Sequence, residues 1–245
     1  MSLDLADFEA QTSNAVKLFW GNRSAAAEAQ AALGRVDAGN RGAVTAGKNM
    51  DGFFDLMIDI VRRNGLPEAD IHLTRKLVTL PGYFRPTKVW DIVVMYQDRL
   101  VAVLELKSQA GPSYGNNFNN RTEEAIGSAL DFQTAYRDGA FGDGPKPFLG
   151  WLMLVEDEPK SRSPVSVVET HFPVFEPFCD ASYLQRYDLL CQRLMSEALY
   201  ARASLIAAPR TSRLSGEYES LSDSASIRAF VSGLAGHVAA VAASL

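Results

Sequence analysis

The sequence contains few of the residues on which secreted scaffolds, zinc sites and histidine-based catalysts are built. Among its 245 residues there are two cysteines and three histidines. Cys179 and Cys191 fit neither a CxxC metal motif nor a disulfide framework, which predicts a reduced, cytoplasmic protein. His72, His171 and His237 show neither a metal-binding nor a Ser-His-Asp spacing, so we interpret them as structural residues.

Long hydrophobic runs are also missing. The most apolar stretch, 229–245, is rich in alanine, is interrupted by polar residues and is shorter than the ~20 residues that a membrane span needs. Near the N-terminus, Asp4, Asp7 and Glu9 occupy positions where an export signal needs cations followed by an apolar run. We therefore expect neither export nor a membrane partner.

An overall excess of positive charge, typical of proteins that bind nucleic acids, is absent as well. The chain has 24 Lys or Arg against 29 Asp or Glu, a net charge of -5, which argues against a DNA partner for the chain as a whole. The charges are unevenly distributed, however. Residues 72–121 carry seven cations against three acids, a local charge of +4, whereas residues 122–200 carry a local charge of -7. This distribution predicts that any contact with DNA is confined to one face.

The composition is that of a globular protein with a sizeable core. Hydrophobic residues make up 47% of the chain and charged residues 22%. No Ser, Pro or Gly-rich linker divides it. We expect a single domain over 1–245, with a catalytic core at about 49–156 and helical extensions at both ends.

The N-terminal region is predicted to be helical. Apolar spacing predicts a first helix that ends near Gly21 and a second over 23–33, followed by a long glycine-punctuated loop over 34–48. Asn49 is a candidate cap for the next helix, which ends at Asn64.

The periodicity then changes from helical to extended. Three strands are predicted, over 72–80, 89–96 and 100–107. A helix follows over about 120–138, and a continuous apolar strand comes next over 148–155. Further amphipathic helices are predicted over 181–206 and 223–244. The order helix, three strands, helix, strand predicts an α/β fold with a mixed β-sheet core flanked by helices.

Charged side chains converge at one end of the predicted strands. A hairpin centred on Asp98 places Asp91 directly opposite Glu105, about 5 Å apart, with Lys107 on the same face. Two carboxylates that close repel each other unless a cation lies between them, and Mg²⁺ is the cation that prefers such oxygen ligands. Apolar neighbours on both sides indicate a central strand, where unpaired charges are costly.

This arrangement favours metal-dependent hydrolysis of a phosphodiester. Asp91, Glu105 and the main-chain carbonyl of Leu106 would hold one or two Mg²⁺, and Lys107 would orient or help to deprotonate the attacking water. The alternative is a plain ion pair between Glu105 and Lys107 on a half-exposed strand.

A third acid often assists such a site, and the sequence offers two candidates. Asp51 begins an i, i+4, i+8 stripe with Asp55 and Asp59 on the preceding helix, although the stripe is equally typical of a solvated face. Glu124 lies in the first turn of the predicted helix near 120, where an acid also suits the helix dipole.

The segment 111–121 is predicted to be a loop that enters a helix near Asn119 or Asn120, and it concentrates groups suited to DNA. Amides match adenine edges, and arginine matches guanine or phosphate; the residues concerned are Asn116, Asn117, Asn119, Asn120 and Arg121. The alternative is ordinary turn chemistry, with Asn120 as a helix cap.

Four further residues flank the predicted catalytic strands. Ser108 and Gln109 leave the strand that carries Lys107 and are candidate contacts to the backbone near the cut. Arg85 and Lys88 precede Asp91 and are candidate phosphate or base contacts, with a solvated loop as the alternative.

The pattern of Asp91 and Glu105-Leu106-Lys107, with the helix and strand order, resembles the PD-(D/E)xK nuclease fold. Longer strings resemble the XhoI type of type II restriction endonuclease; they span 35–41, 84–88, 105–109 and 111–124. Trp90 stands where the motif name has proline, a position that carries no ligand. The resemblance implies a restriction-endonuclease-like sheet core and a Mg²⁺-dependent homodimer that cuts palindromic double-stranded DNA, with CTCGAG as the site.

Two other functions fit the same residues. A structure-specific repair or junction nuclease of this fold would cut branched or damaged DNA, and a catalytically inert DNA-binding protein would bind without cutting. The intact set of Asp91, Glu105 and Lys107 argues against the inert protein, because a protein without catalysis has no need to keep buried charges.

Overall fold

The computed structural model describes residues 3–5, 7–32 and 49–244. The predicted loop over 34–48 and the string 35–41 lie outside the described residues. The long helices are α1 (Phe8–Ala32), α2 (Asp51–Arg63), α3 (Tyr114–Arg137), α5 (Tyr183–Ser196) and α7 (Ile227–Ala243), and the short ones are α4 (Pro159–Arg162), a 3₁₀ turn (Glu176–Phe178) and α6 (Ser212–Ser215). None of the described helices combines the length and apolar character needed to cross a bilayer.

A mixed β-sheet forms the centre of the protein. The strands are β1 (Asp70–His72), β2 (Thr79–Pro81), β3 (Thr87–Val89), β4 (Ile92–Tyr96), β5 (Arg99–Gln109), β6 (Phe148–Glu156) and β7 (Arg202–Ala208). The five-stranded sheet has the order β1-β4-β5-β6-β7, and β2 pairs with β3 in a separate two-stranded ribbon. Pairing is antiparallel from β1 to β5 and parallel from β5 to β7.

The predicted α/β class, with a mixed sheet flanked by helices, is confirmed. The elements α2, β1, β4, β5, α3 and β6 follow the predicted order of helix, three strands, helix and strand. The predicted strand over 72–80 is in fact divided between the end of β1 and the start of β2.

The helices cover both faces of the sheet. On one face, residues of α1, α2 and α7 pack with Ile92 and Leu104 of the sheet. On the other face, residues of α3 and α5 pack with Val93 and Val103. Strand β5 is therefore buried on both sides, and a charged side chain at its end must be paired or bound.

Three local predictions were wrong. Helix α1 continues through Gly21 because packing of its apolar face against α2 offsets the roughly 1 kcal/mol that an interior glycine costs. Met50 rather than Asn49 occupies the N-cap position of helix α2, and its side chain makes no capping hydrogen bond. The helix predicted over 181–206 ends at Ser196, and β7 follows. Strand β7 is buried on both faces, so it lacks the alternation that marks a strand, and its alanines favour helix.

Candidate active site

The β4–β5 hairpin positions the predicted catalytic residues. Its turn consists of Gln97 and Asp98, both with positive φ. Moving away from the turn along β4, the pairing with β5 shifts by one residue between Met95 and Val94. Beyond the shift, Ile92 pairs with Leu104, and the backbone N–H of Asp91 donates to the Leu104 carbonyl at 3.2 Å. The irregularity restores the register that the sequence predicts at this end of the hairpin, so Asp91 lies beside Glu105.

Glu105 is the most enclosed charge of the site, with 1% of its side chain exposed. Its Oε1 accepts from Lys88 Nζ at 2.8 Å and lies 2.9 Å from Lys107 Nζ. Its Oε2 is buried and has no hydrogen-bond partner among the described residues. One carboxylate oxygen is thus doubly paired and the other is left for a further cation, because a buried unpaired carboxylate oxygen is costly.

Asp91 faces the same group of charges. Its Oδ2 accepts the backbone N–H of Leu106 at 2.8 Å. Burial raises the pKa of Asp91 and repulsion from Glu105 adds to this, while Lys107, the Leu106 N–H and Lys88 act in the opposite direction. The two carboxylates therefore repel each other in a desolvated site. A divalent cation bound between them would offset this repulsion.

Lys107 connects the strand to helix α3. Its Nζ lies 3.3 Å from Glu124 Oε1, and Glu124 Oε2 in turn accepts from Arg121 Nη1 at 2.5 Å. Burial alone would lower the pKa of Lys107, but Glu105, Asp91 and Glu124 raise it above its ordinary value. Lys107 therefore carries its proton beside these acids, which suits orientation of water or phosphate better than deprotonation.

Of the two candidate third acids, the structure brings Glu124 to the site. Partial burial acts against ionisation of Glu124, yet Lys107 and Arg121 lower its pKa below the ordinary value. Asp51 and Asp55 are exposed on α2, and Asp59 pairs with Arg63 and Gln11. Asp51 and Asp55 therefore lie on a solvated part of α2.

Lys88 lies among the charged residues around Glu105 and not in a solvated loop, which was the alternative to its prediction as a DNA contact. Only 9% of its side chain is exposed, and Nζ lies 4.5 Å from the centre of the Trp90 ring as well as beside Glu105. Lys88 lies on β3, which pairs with β2 in a ribbon separate from the main sheet, so the local sequence pattern does not indicate that it meets Glu105.

Three other predicted DNA contacts have partners within the protein. Arg85 Nε donates to Asp131 Oδ2 at 2.7 Å, and Arg121 pairs with Glu124. Gln109 is buried, and the hydroxyl of Tyr187 donates to its Oε1. Ser108 is half-buried on the other face of the strand.

The asparagines lie on a helix and not in the predicted loop. Helix α3 begins at Tyr114, and Ser113 rather than Asn120 occupies the N-cap position. Tyr114 stacks on Tyr183, and Phe118 packs edge-on against Tyr187 of α5, which holds this first part of the helix in place. Asn116, Asn119 and Asn120 are exposed, and Asn117 is half-buried, so α3 presents these amides to solvent.

A cleft of about 460 Å³ opens on Asp91. Its lining is mostly apolar with one cation; it consists of Phe54, Leu73, Arg75, Val78, Val89, Trp90 and Asp91. Sequence reasoning counted Arg75 only as part of the basic segment, but the structure places it in the same cleft as a predicted metal ligand. A cation there suits a phosphate group.

The residues present fit a hard divalent cation. Asp91, Glu105 and the Leu106 carbonyl are oxygen donors, and the unpartnered Glu105 Oε2 offers a ligand atom. No group of three or more His, Cys, Asp or Glu side chains that would hold a metal occurs among the described residues. Two carboxylates completed by a main-chain carbonyl, water or phosphate match the way in which Mg²⁺ is bound.

Comparisons with known proteins find relatives among the restriction endonucleases. The chain matches the family model described as Restriction endonuclease XhoI over residues 29–220. It is 58% identical over 172 residues to the type II restriction enzyme AbrI of Azospirillum brasilense, an alignment that covers 70% of this chain and 77% of the relative.

Two further relatives carry the same description. The chain is 49% identical to the type II restriction enzyme XhoI of Xanthomonas vasicola, over 85% of this chain and 84% of the relative. It is 45% identical to the type II restriction enzyme BstVI of Geobacillus stearothermophilus, over 84% and 94% respectively. No solved structure matches the chain significantly. The family resemblance inferred from the sequence motifs is thereby confirmed.

Replacing Lys88 tests its place in the cluster. We expect Lys88→Met to lower the free energy of unfolding by up to about 3–5 kcal/mol, because Glu105 loses one of two buried cations. Urea denaturation measures the change, and exposed Lys76→Met serves as the control, expected within about 0.5 kcal/mol of the parent protein. Equal losses for the two variants would contradict the buried pairing.

Proposed function

This chain belongs to the XhoI restriction endonuclease family of type II site-specific deoxyribonucleases, and from that premise we propose how it acts. It hydrolyses one phosphodiester bond in each strand of a palindromic duplex, with Mg²⁺ as the cofactor. The relationship to XhoI suggests CTCGAG as the site. The observation that carries the proposal is Glu105, buried between two lysines with one oxygen unpaired.

Three groups of the chain would hold the metal, namely Asp91, Glu105 and the Leu106 carbonyl. Bound there, Mg²⁺ would supply charge for the phosphate oxygens and lower the pKa of a water molecule. This ligand set is that of the PD-(D/E)xK nucleases, with Trp90 in the proline position.

Three cations near the site would act on the water, on Glu105 and on the phosphate. Lys107, fixed between Glu105 and Glu124, would orient the attacking water and offset phosphate charge. Lys88 donates to Glu105 Oε1 and would hold that side chain in one orientation. Arg75 in the adjoining cleft would bind a phosphate beside the cut.

Sequence recognition is assigned to the exposed asparagines at the start of α3. The helix is anchored to the site through Glu124, so amides that read bases hold a fixed position relative to the cut. A palindrome contains the same half-site twice, once on each strand. A two-fold homodimer would therefore place one active site on each strand.

Removal of the Glu105 charge is expected to abolish cleavage. Glu105→Gln keeps the shape of the side chain but loses a metal ligand, so we expect the rate on a plasmid to fall by at least about 10³-fold. Binding to the same DNA in Ca²⁺ should persist. Glu123→Gln removes an exposed carboxylate from the same helix as Glu124 and should cut at the parental rate. Undiminished cleavage by Glu105→Gln, or by the parent protein in EDTA, would refute the assignment.

The choice of substrate is tested with matched plasmids. A plasmid with one CTCGAG sequence should be linearised in Mg²⁺, and one with a single altered base pair should be cut at least about tenfold more slowly, since a mismatch costs about 1–3 kcal/mol. Cutting confined to branched DNA would indicate a repair or junction nuclease instead. Specific binding without cutting in Mg²⁺ or Mn²⁺ would indicate an inert binding protein.

A further inference from the structure

The segment 73–90 combines positive charge with exposed apolar side chains. It contains no Asp or Glu, and Arg75, Lys76 and Arg85 are exposed, whereas Lys88 is turned inward to Glu105. Five of its large apolar residues are exposed, which is unusual for so short a stretch; they are Leu73, Leu77, Tyr83, Phe84 and Val89. A surface of this kind suits a polyanion that also offers apolar faces.

The most exposed of these residues lie at the turn of the β2–β3 ribbon, which we call the aromatic tip (residues 82–86). Tyr83 is 53% exposed and Phe84 is 67% exposed. Their rings pack edge to face with centroids 5.1 Å apart. Most of the area of both rings therefore remains available to a partner.

The backbone of the aromatic tip is held in one conformation by Asp131 of α3. Asp131 is buried and accepts from Tyr83 N at 2.7 Å, Phe84 N at 2.8 Å and Arg85 Nε at 2.7 Å. The Gly82 N–H donates to the Pro86 carbonyl at 3.3 Å. A Cβ at Gly82 would lie 2.7 Å from Asp131 Oδ2, so only glycine permits this approach. The hydrogen bonds of Asp131 thus hold two aromatic rings in exposed positions. Packing of the core does not require exposed rings, so their exposure needs another explanation.

The tip also lies close to the catalytic residues. Lys88, 2.8 Å from Glu105, follows Phe84 by four residues. An extended chain rises about 3.3 Å per residue, so Phe84 lies within roughly 13 Å of Lys88. That distance corresponds to about four base steps at 3.4 Å each. A bound duplex of a few base pairs beyond the phosphate at Asp91 is therefore long enough to reach the tip.

We propose that the aromatic tip is a DNA wedge, in which Phe84 and Tyr83 contact and partly unstack a base step within or beside the recognition site. Apolar side chains that enter between bases distort the duplex in this way. The exposed 45% of the Arg85 side chain lies beside the rings and would contact the adjoining phosphate. The inference rests on the proposed function, since it requires a DNA substrate at Asp91.

The charge of the segment favours DNA over a second copy of the chain as the occupant. A two-fold interface places the same patch on both subunits, so the exposed Arg75 and Lys76 of one subunit would meet the same cations of the other. DNA instead supplies phosphates for Arg75, Lys76 and Arg85.

Replacement of Phe84 tests the wedge. The parent protein, Phe84→Ala and Phe84→Tyr are titrated in Ca²⁺ against CTCGAG duplexes in which 2-aminopurine replaces each adenine of the site and of its flanking pairs. We expect the parent protein and Phe84→Tyr to raise the fluorescence at one position. Phe84→Ala should lose that signal and bind about tenfold or more weakly, because a base–aromatic contact is lost.

Leu214→Ala, which truncates a 79% exposed apolar side chain on α6, is the matched control and should match the parent protein. Binding and fluorescence of Phe84→Ala equal to those of the parent protein would overturn the wedge. A lower oligomeric mass of Phe84→Ala in sedimentation would also overturn it and assign the tip to a second copy. A parent protein that neither binds nor cuts the duplex refutes the proposed function itself, whereas normal cutting with an unaffected Phe84→Ala refutes only the wedge.

Discussion

The pairing of Glu105 with two lysines is the interaction on which the rest of the structure depends. A carboxylate with 1% exposure is costly to desolvate, and Lys88 and Lys107 offset that cost at a single oxygen. Each cation comes from a different place in the chain. Lys88 reaches Glu105 from the β2–β3 ribbon, and Lys107 lies two residues beyond it on β5. The β2–β3 ribbon therefore supplies one cation and strand β5 the other. Glu124 of α3 in turn contacts Lys107.

Helix α3 links the site to the surface that we propose to face the substrate. Glu124 contacts Lys107, Asp131 holds the aromatic tip, and Phe132 packs edge-on against Trp90. Spacings of seven and eight residues place these three side chains on one face of the helix. The same helix carries the exposed asparagines, so groups proposed to read, distort and cut DNA share one rigid element. The overall charge of -5 is compatible with this, because the acid-free segment 73–90 lies beside the site.

The contacts nearest to the hairpin could be predicted from the sequence, because register follows from the turn and from burial. Asp91, Glu105 and Lys107 meet as expected. The position of Lys88 depends on a ribbon folding back over Trp90, which local pattern does not specify. The start of α3 depends on Tyr114 and Phe118 packing on α5, and this packing overrides the low helix propensity of glycine and asparagine. Strand β7 was missed because burial on both faces removes its alternation.

The central claim is that the unpaired oxygen of Glu105 completes a divalent metal site with Asp91. Binding of Mn²⁺ to the protein, measured by electron paramagnetic resonance in the presence of uncleaved duplex, tests it most directly. We expect the parent protein and Glu123→Gln to bind Mn²⁺, and both Glu105→Gln and Asp91→Asn to lose the signal of the bound ion. Retention of the bound Mn²⁺ in those two variants, with the protein folded, would contradict it.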